Sequence, residues 1–155
     1  MENPKSISVF IKDNNVIDIV PGLYTDIGFG IQTEYYQELQ PPYGVEHIGE
    51  LFLLAWNETK DCQIICRASA KDIIPAFQLI SGKKSYLSFQ KNRQLIYVNI
   101  QKTLIFQYWY RQKRGFGIDA GDKIFQRELP LDASAKQIGT AIAELYFEVN
   151  QKQLL

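Results

Sequence analysis

The tetrapeptide GFGI occurs twice in the chain, at Gly28–Ile31 and at Gly115–Ile118. Its surroundings agree as well. Upstream, SVFIKDNNVIDIV (Ser8–Val20) resembles LSFQKNRQLIYVN (Leu87–Asn99), with Phe10 matching Phe89 and Ile17 matching Ile96. Downstream, YYQEL (Tyr35–Leu39) resembles FQREL (Phe125–Leu129), and HIG (His47–Gly49) falls opposite QIG (Gln137–Gly139). The offset grows from 79 to 87 to 90, so order is kept while the second copy carries insertions. An internal repeat constrains a fold strongly, because each unit must find its core partly on the other.

Each copy reads as strand, turn, strand, strand, helix. SISVFI alternates, KDNN turns and VIDIV resumes; Asn and Asp tolerate the positive φ of a tight hairpin. In the second copy, YLSFQ and LIYVNI flank KNRQ, and KTLIFQYWY adds a strand whose aromatic and β-branched content suits a sheet. GFGI itself reads as a joint that follows a turn and opens a strand. The closing helices are the clearest elements. Ser134 and Gln137 have capping-box spacing, and Ile138, Ala141, Ile142, Leu145 and Val149 form one apolar stripe. Val45, Ile48, Phe52, Ala55 and Thr59 trace the first copy's line. Gly49 and Gly139 hold the same helical position, at a cost of ~1 kcal/mol each against alanine. Close packing of helix on sheet is the expected return. Between the copies, CQIICR reads as a strand at 62–67, followed by a short helix with Asp72 as N-cap and Pro75 in its first turn. The predicted fold is α+β: a single compact domain over 1–155, built from two degenerate strand-strand-strand-helix repeats at about 8–56 and 87–146. A strand and helix at 62–81 connect them, and the sheet is mainly antiparallel with helices packed on it.

No run approaches the ~18 apolar residues of a membrane span. The N-terminal MENPKSISVF has an early acid and no apolar core, so it does not read as a signal peptide; the expected location is the cytoplasm. Cys62 and Cys66 read as buried, reduced thiols. A structural zinc site takes about four ligands, and His47 is the sole histidine. His47 reads as a solvent-facing helix residue, and no G-x-S-x-G elbow accompanies it. GFGIDA fits a dinucleotide fingerprint in letters alone, because GDKIFQREL after it reads as strand rather than helix. LISGKK lacks the first glycine of a phosphate loop and reads as a lysine-rich turn. No catalytic residues, cofactor or metal are expected.

Charge is uneven. Residues 1–77 carry five bases and eleven acids, net −6, and residues 78–155 carry twelve bases and six acids, net +6. Two readings stand: the halves attract each other, or the surface is bipolar and steers a charged partner. RQKR (Arg111–Arg114) beside FQYWY admits a nucleic-acid surface or a solvated turn next to core aromatics. Tyr24, Tyr35 and Tyr36 beside Asp26 and Glu34 suit an interface against a basic partner or an ordinary edge strand. Tyr35 and Tyr36 alternate, so one of them should be exposed.

The strand pair SVFIKDNNVIDIVP, the GFGID turn, and ELPLDAS running into KQIGTAIAEL together resemble the immunity proteins of bacterial contact-dependent growth inhibition, the CdiI type. The likeness is strongest over Gly115–Leu145. It departs at LQPP (Leu39–Pro42), which stands where the second copy has LPLD (Leu129–Asp132). The resemblance implies a cytoplasmic protein that performs no chemistry. It would bind the C-terminal toxin domain of its cognate CdiA effector, often a nuclease, and cover that domain's active site. It transfers no binding residues. On physical grounds the candidate contacts are Tyr24, Asp26, Glu34, Tyr35 and Tyr36, with Arg111, Lys113 and Arg114 as the alternative basic face. The competing class is a small nucleic-acid-binding α+β protein using the basic second half.

Overall fold

The computed structural model describes residues 5–24, 30–59 and 73–154. Strands β1 (Lys5–Lys12) and β2 (Ile17–Tyr24) form the predicted hairpin, with Asn15 at φ 67 in its turn. Next come β3 (Gly30–Gln32), β4 (Gln37–Leu39) and helix α1 (Val45–Thr59). Two short helices follow, α2 (Ala76–Ser81) and α3 (Tyr86–Gln90). The second array is β5 (Arg93–Ile100), β6 (Thr103–Arg111), β7 (Phe116–Gly117), β8 (Gln126–Pro130) and α4 (Ala135–Asn150).

All pairings are antiparallel, in the order β3-β2-β1-β5-β6-β7, with β4 also on β2 and β8 also on β6. The two inner strands meet at the seam, where Val9 faces Ile96. The element order of the first array therefore recurs in the second. Gly30 and Ile31 pair with Tyr24 and Leu23; Phe116 and Gly117 pair with Arg111 and Tyr110. Each GFGI thus lays a short strand on the far end of its second long strand. Gly28 and Phe29 lie outside the described residues, as do Cys62, Cys66, the strand expected at 62–67, and Asp72.

One face of the sheet presents Ile7, Val9, Ile17, Ile19, Ile96, Val98, Leu104 and Phe106 to the apolar stripes of α1 and α4. Ile48, Phe52, Ala55 and Thr59 are buried on α1; Ile138, Ala141, Ile142 and Leu145 are buried on α4. Val45 and Val149 are only half-buried, and Tyr146 completes the second stripe. The capping box at Ser134 and Gln137 is formed in both directions.

The paired glycines do something other than expected. A Cβ on Gly49 would lie 1.7 Å from the Ala135 carbonyl oxygen, and one on Gly139 would lie 1.7 Å from that of Val45. Each glycine admits the first turn of the other helix. The close approach is helix on helix, not helix on sheet, and it is reciprocal.

The opposite face carries a second, smaller core of Phe10, Val20 and Leu95, covered by Ala76 of α2 and Phe89 of α3. Phe10 and Phe89 meet edge to face at 4.9 Å. Two expectations fail here. YLSFQ is a helix rather than a strand, because Ser85 caps it by accepting from the Ser88 amide and Phe89 must turn down onto Phe10. The strand pair of the second array is consequently β5–β6, so KTLIFQYWY is the counterpart of β2 and not an addition. KNRQ does not form a whole turn either, since Arg93 and Gln94 already belong to β5. The second error concerns Pro75, which is the extended N-cap of α2 rather than a first-turn residue. Gly82, at φ 69, ends that helix, as a lysine-rich turn requires.

Candidate functional site

Apolar residues on one side of α1 force its polar residues to the other. Glu46, Glu50, Leu54 and Glu58 recur at four-residue intervals along that outer side. The three glutamates are exposed, and Leu54 is 50% exposed among them. No lysine or arginine occurs in α1. Like charges four residues apart repel by a few tenths of a kcal/mol. Strand β4 meets this side through Gln37, whose Nε2 donates to Glu58 Oε1 at 2.7 Å, whereas Glu38 alternates to the other face of the sheet, opposite Asp18. The link from β3 to β4 carries Glu34 and Tyr35, the latter 41% exposed. Tyr36 instead packs against the smaller core, so the alternation expected of the two tyrosines is observed. Of the sequence-derived candidates, Glu34, Tyr35 and Tyr36 thus share one link. Asp26 lies outside the described residues, as does the side chain of Tyr24. A pocket of about 320 Å³ opens beside this link, lined by Ile31, Gln32, Pro75, Phe77 and Tyr86. Gln32 holds its wall in place by accepting from the Phe77 amide at 2.8 Å.

The basic candidates sit at the far end of the second array. Arg111 is exposed along part of its length, but its guanidinium is committed: Nη2 and Nε donate to the Arg93 carbonyl at 2.6 and 3.2 Å. Lys113 and Arg114 project from a turn closed by the Gln112 amide on the Gly115 carbonyl at 3.0 Å. Gln90 ties that turn to α3, donating to the Gln112 carbonyl at 2.9 Å and accepting from the Gly115 amide at 2.6 Å. Lys83, Lys84 and Lys91 are exposed nearby in the chain around α3. RQKR is therefore a well-held, solvated turn. The aromatics of FQYWY divide between faces: Phe106 is in the main core, and Trp109 stacks on Tyr97 at 4.0 Å on the other side.

Among the described residues a single ion pair, Asp18 with Arg93, joins the two arrays; the others, Arg127 with Glu144 and Glu148, lie within the second. Among the described residues, the opposite charges of the two halves thus meet in this one ion pair.

Sequence reasoning missed one constellation. Asp18 is 1% exposed and faces Glu38 directly across β2–β4, with Arg93 beside it. Burial, first, and a hydrogen bond with Glu38, second, push the Asp18 carboxyl up to about 8. The same hydrogen bond holds Glu38 below its ordinary value. The signal was available only as an acid in the alternating run VIDIV.

His47 is exposed, its Nδ1 accepting from the Gly44 amide at 3.4 Å. Among the described residues no three His, Cys, Asp or Glu side chains gather closely enough to hold a metal ion. No described helix is long and apolar enough to cross a membrane. After GFGIDA the chain runs into β8, not into the helix a dinucleotide site uses.

No protein-family profile matches the sequence, and no curated protein matches it. Solved structures do share the fold. A chain of the CdiA-CT/CdiI toxin and immunity complex from Yersinia pseudotuberculosis aligns with a TM-score of 0.60 at 11% identity, covering 94% of this chain and 96% of that one. A protein of unknown function from Neisseria meningitidis, NMB0488, aligns with a TM-score of 0.59 at 12% identity, covering 96% of each chain. At these identities the likeness is one of fold, and its near-complete coverage places the whole α+β domain in the same architecture as those two chains.

Proposed function

We propose that this chain is an immunity protein. It binds the C-terminal toxin domain of a cognate CdiA-type effector in the cytoplasm and covers that domain's active site. The observation that carries the reading is the end-to-end fold match to a chain from a CdiA-CT/CdiI toxin and immunity complex. The protein acts by shape and charge, without chemistry of its own. Its two arrays, 5–59 and 93–150 in sequence, form one immunity-type domain.

The acidic side of α1, with β4 and the β3–β4 link, is the proposed contact surface. A nuclease toxin must hold phosphates, so its mouth is basic. Glu34, Glu46 and Glu50 enter no ion pair among the described residues, and they are placed to answer such a mouth. Tyr35 and Leu54 supply exposed apolar area beside these acids. Tyr24 and Asp26 are proposed as further contacts.

The test is co-expression with the toxin domain encoded immediately upstream. Cells producing both should grow, and cells producing the toxin domain alone should stop. Death in both cases defeats the proposal. A second reading rests on the exposed bases Lys83, Lys84, Lys91, Lys113 and Arg114 together with Arg111. If that face binds RNA, affinity should fall steeply with salt and with charge reversal at Lys113 and Arg114.

A further inference from the structure

Asp18 should be an awkward residue for this sheet. It faces Phe10 across β1–β2 and Glu38 across β2–β4. Directly opposed residues on one face place their Cβ atoms only about 4.5–5.5 Å apart. Two ionised carboxylates at that spacing repel, and Asp18 has almost no water to screen it.

Arg93 does not resolve the problem. Its Nε is 3.9 Å from Asp18 Oδ2, beyond hydrogen-bond range. Its Nη1 donates instead to the Phe89 carbonyl at 2.8 Å and to Asn92 Oδ1 at 3.1 Å, and the guanidinium lies 4.1 Å over the Phe89 ring. Neither oxygen of Asp18 has a protein donor, and Arg93 Nε has no acceptor. An ionised carboxylate accepts only, so it would be buried here with nothing to accept from. A protonated one gains an O–H that it can give to Glu38, whose exposed carboxylate is free to stay ionised.

The corresponding position in the second array carries no charge. There Ile105 faces Glu128 across β6–β8 as Asp18 faces Glu38, and Glu128 accepts from the Thr103 hydroxyl at 2.7 Å. The remaining groups around Asp18 are accounted for element by element. Lys12 comes from β1, half-buried; Arg93 from β5; Glu38 from β4; and Phe89, uncharged, from α3. Arg111 of β6 reaches only the Arg93 backbone.

We propose that Asp18 and Glu38 hold one proton between them at neutral pH, so that Asp18 is neutral and β2–β4 pairing weakens when that proton leaves. The inference rests on the fold alone and does not depend on the proposed partner. Its sign is opposite to that of a salt bridge. With the Asp18 pKa raised on folding, the native state binds a proton that the unfolded chain has lost. The stabilisation is complete below the ordinary carboxylate value of 3.8 and drains away as pH rises toward about 8.

Two measurements on the full chain decide it. Carbonyl ¹³C NMR of Asp-labelled protein should show Asp18 titrating well above the other aspartates, near pH 8. Urea unfolding should show the folding constant falling by up to about tenfold per pH unit between pH ~5 and ~8. Asp18→Asn, which copies the neutral acid, should flatten that slope. An Asp18 midpoint in the ordinary carboxylate range, or stability that falls toward acid instead, overturns the proposal. The wild-type titration decides the matter even if the variant does not fold.

Discussion

Helices α1 and α4 hold matching places in their arrays, yet their solvent sides are finished differently. Their inner sides are near copies. Each buries an apolar stripe on the same sheet face, and each has a glycine that admits the other's first turn. Outside they part. Glu144 and Glu148 of α4 are both answered by Arg127 from β8, at 3.6 and 2.5 Å. Glu46 and Glu50 of α1 meet no base among the described residues. Among the described residues, the second array answers its helix acids with Arg127, and no base answers Glu46 or Glu50 of the first. Repeated structure makes the difference readable, since whatever the fold needs should appear on both sides.

The reciprocal glycines offer the strongest way to break the inner match. Gly49→Ala and Gly139→Ala each drive a Cβ into a carbonyl on the facing helix, which no rotamer change relieves. Each should cost about 3 kcal/mol or more by chemical denaturation. The two costs should be similar; if one is near zero, the helix contact is not reciprocal. Gly44→Ala, with nothing within 4 Å of its Cβ, is the control and should be close to neutral.

Next in size is the shared core. Phe52, whose ring lies 6.0 Å from that of Phe106, should cost about 3–5 kcal/mol on truncation to alanine. Ile142, in the corresponding place on α4, should cost about 2–5 kcal/mol. Removing the cap with Ser134→Ala should cost about 1 kcal/mol.

The outer sides should respond least in stability and most in binding. Arg127→Ala breaks a partly exposed pair and should cost less than about 1 kcal/mol. Glu46→Lys with Glu50→Lys should change stability by no more than about 1 kcal/mol, since like charges again stand four residues apart, one first-turn charge is reversed, and no ion pair among the described residues is lost. The same double variant should weaken partner binding by tenfold or more. Unchanged affinity would show that α1's acids are only a solvated face.

Parts of this were legible in the sequence for physical reasons. The 3.6-residue period over 45–59 and 135–150 names a face unambiguously, and the Ser134–Gln137 box is local chemistry. YLSFQ was not legible as a helix, because five residues satisfy a period of two nearly as well as one of 3.6. The Ser85 cap just ahead of it was the better signal. That error displaced the match between arrays by one strand. The burial of Asp18 could not be read from VIDIV, since the run says nothing of α2 and α3 covering that face. The acidic line Glu46, Glu50, Leu54, Glu58 was open to view, four apart, but that no described base answers Glu46 or Glu50 becomes apparent only beside Arg127 in the folded chain. Arg111 is the converse: it reads as a free base and is bound to a backbone carbonyl.

The direct measurement is calorimetric titration of the purified chain into the cognate toxin domain, with the toxin's activity followed in the same mixtures. The account predicts tight one-to-one binding, of order nanomolar, silencing of the toxin at equivalence, and a marked loss of affinity in the Glu46→Lys, Glu50→Lys variant. Absence of heat, with the toxin fully active in excess of this protein, would contradict it.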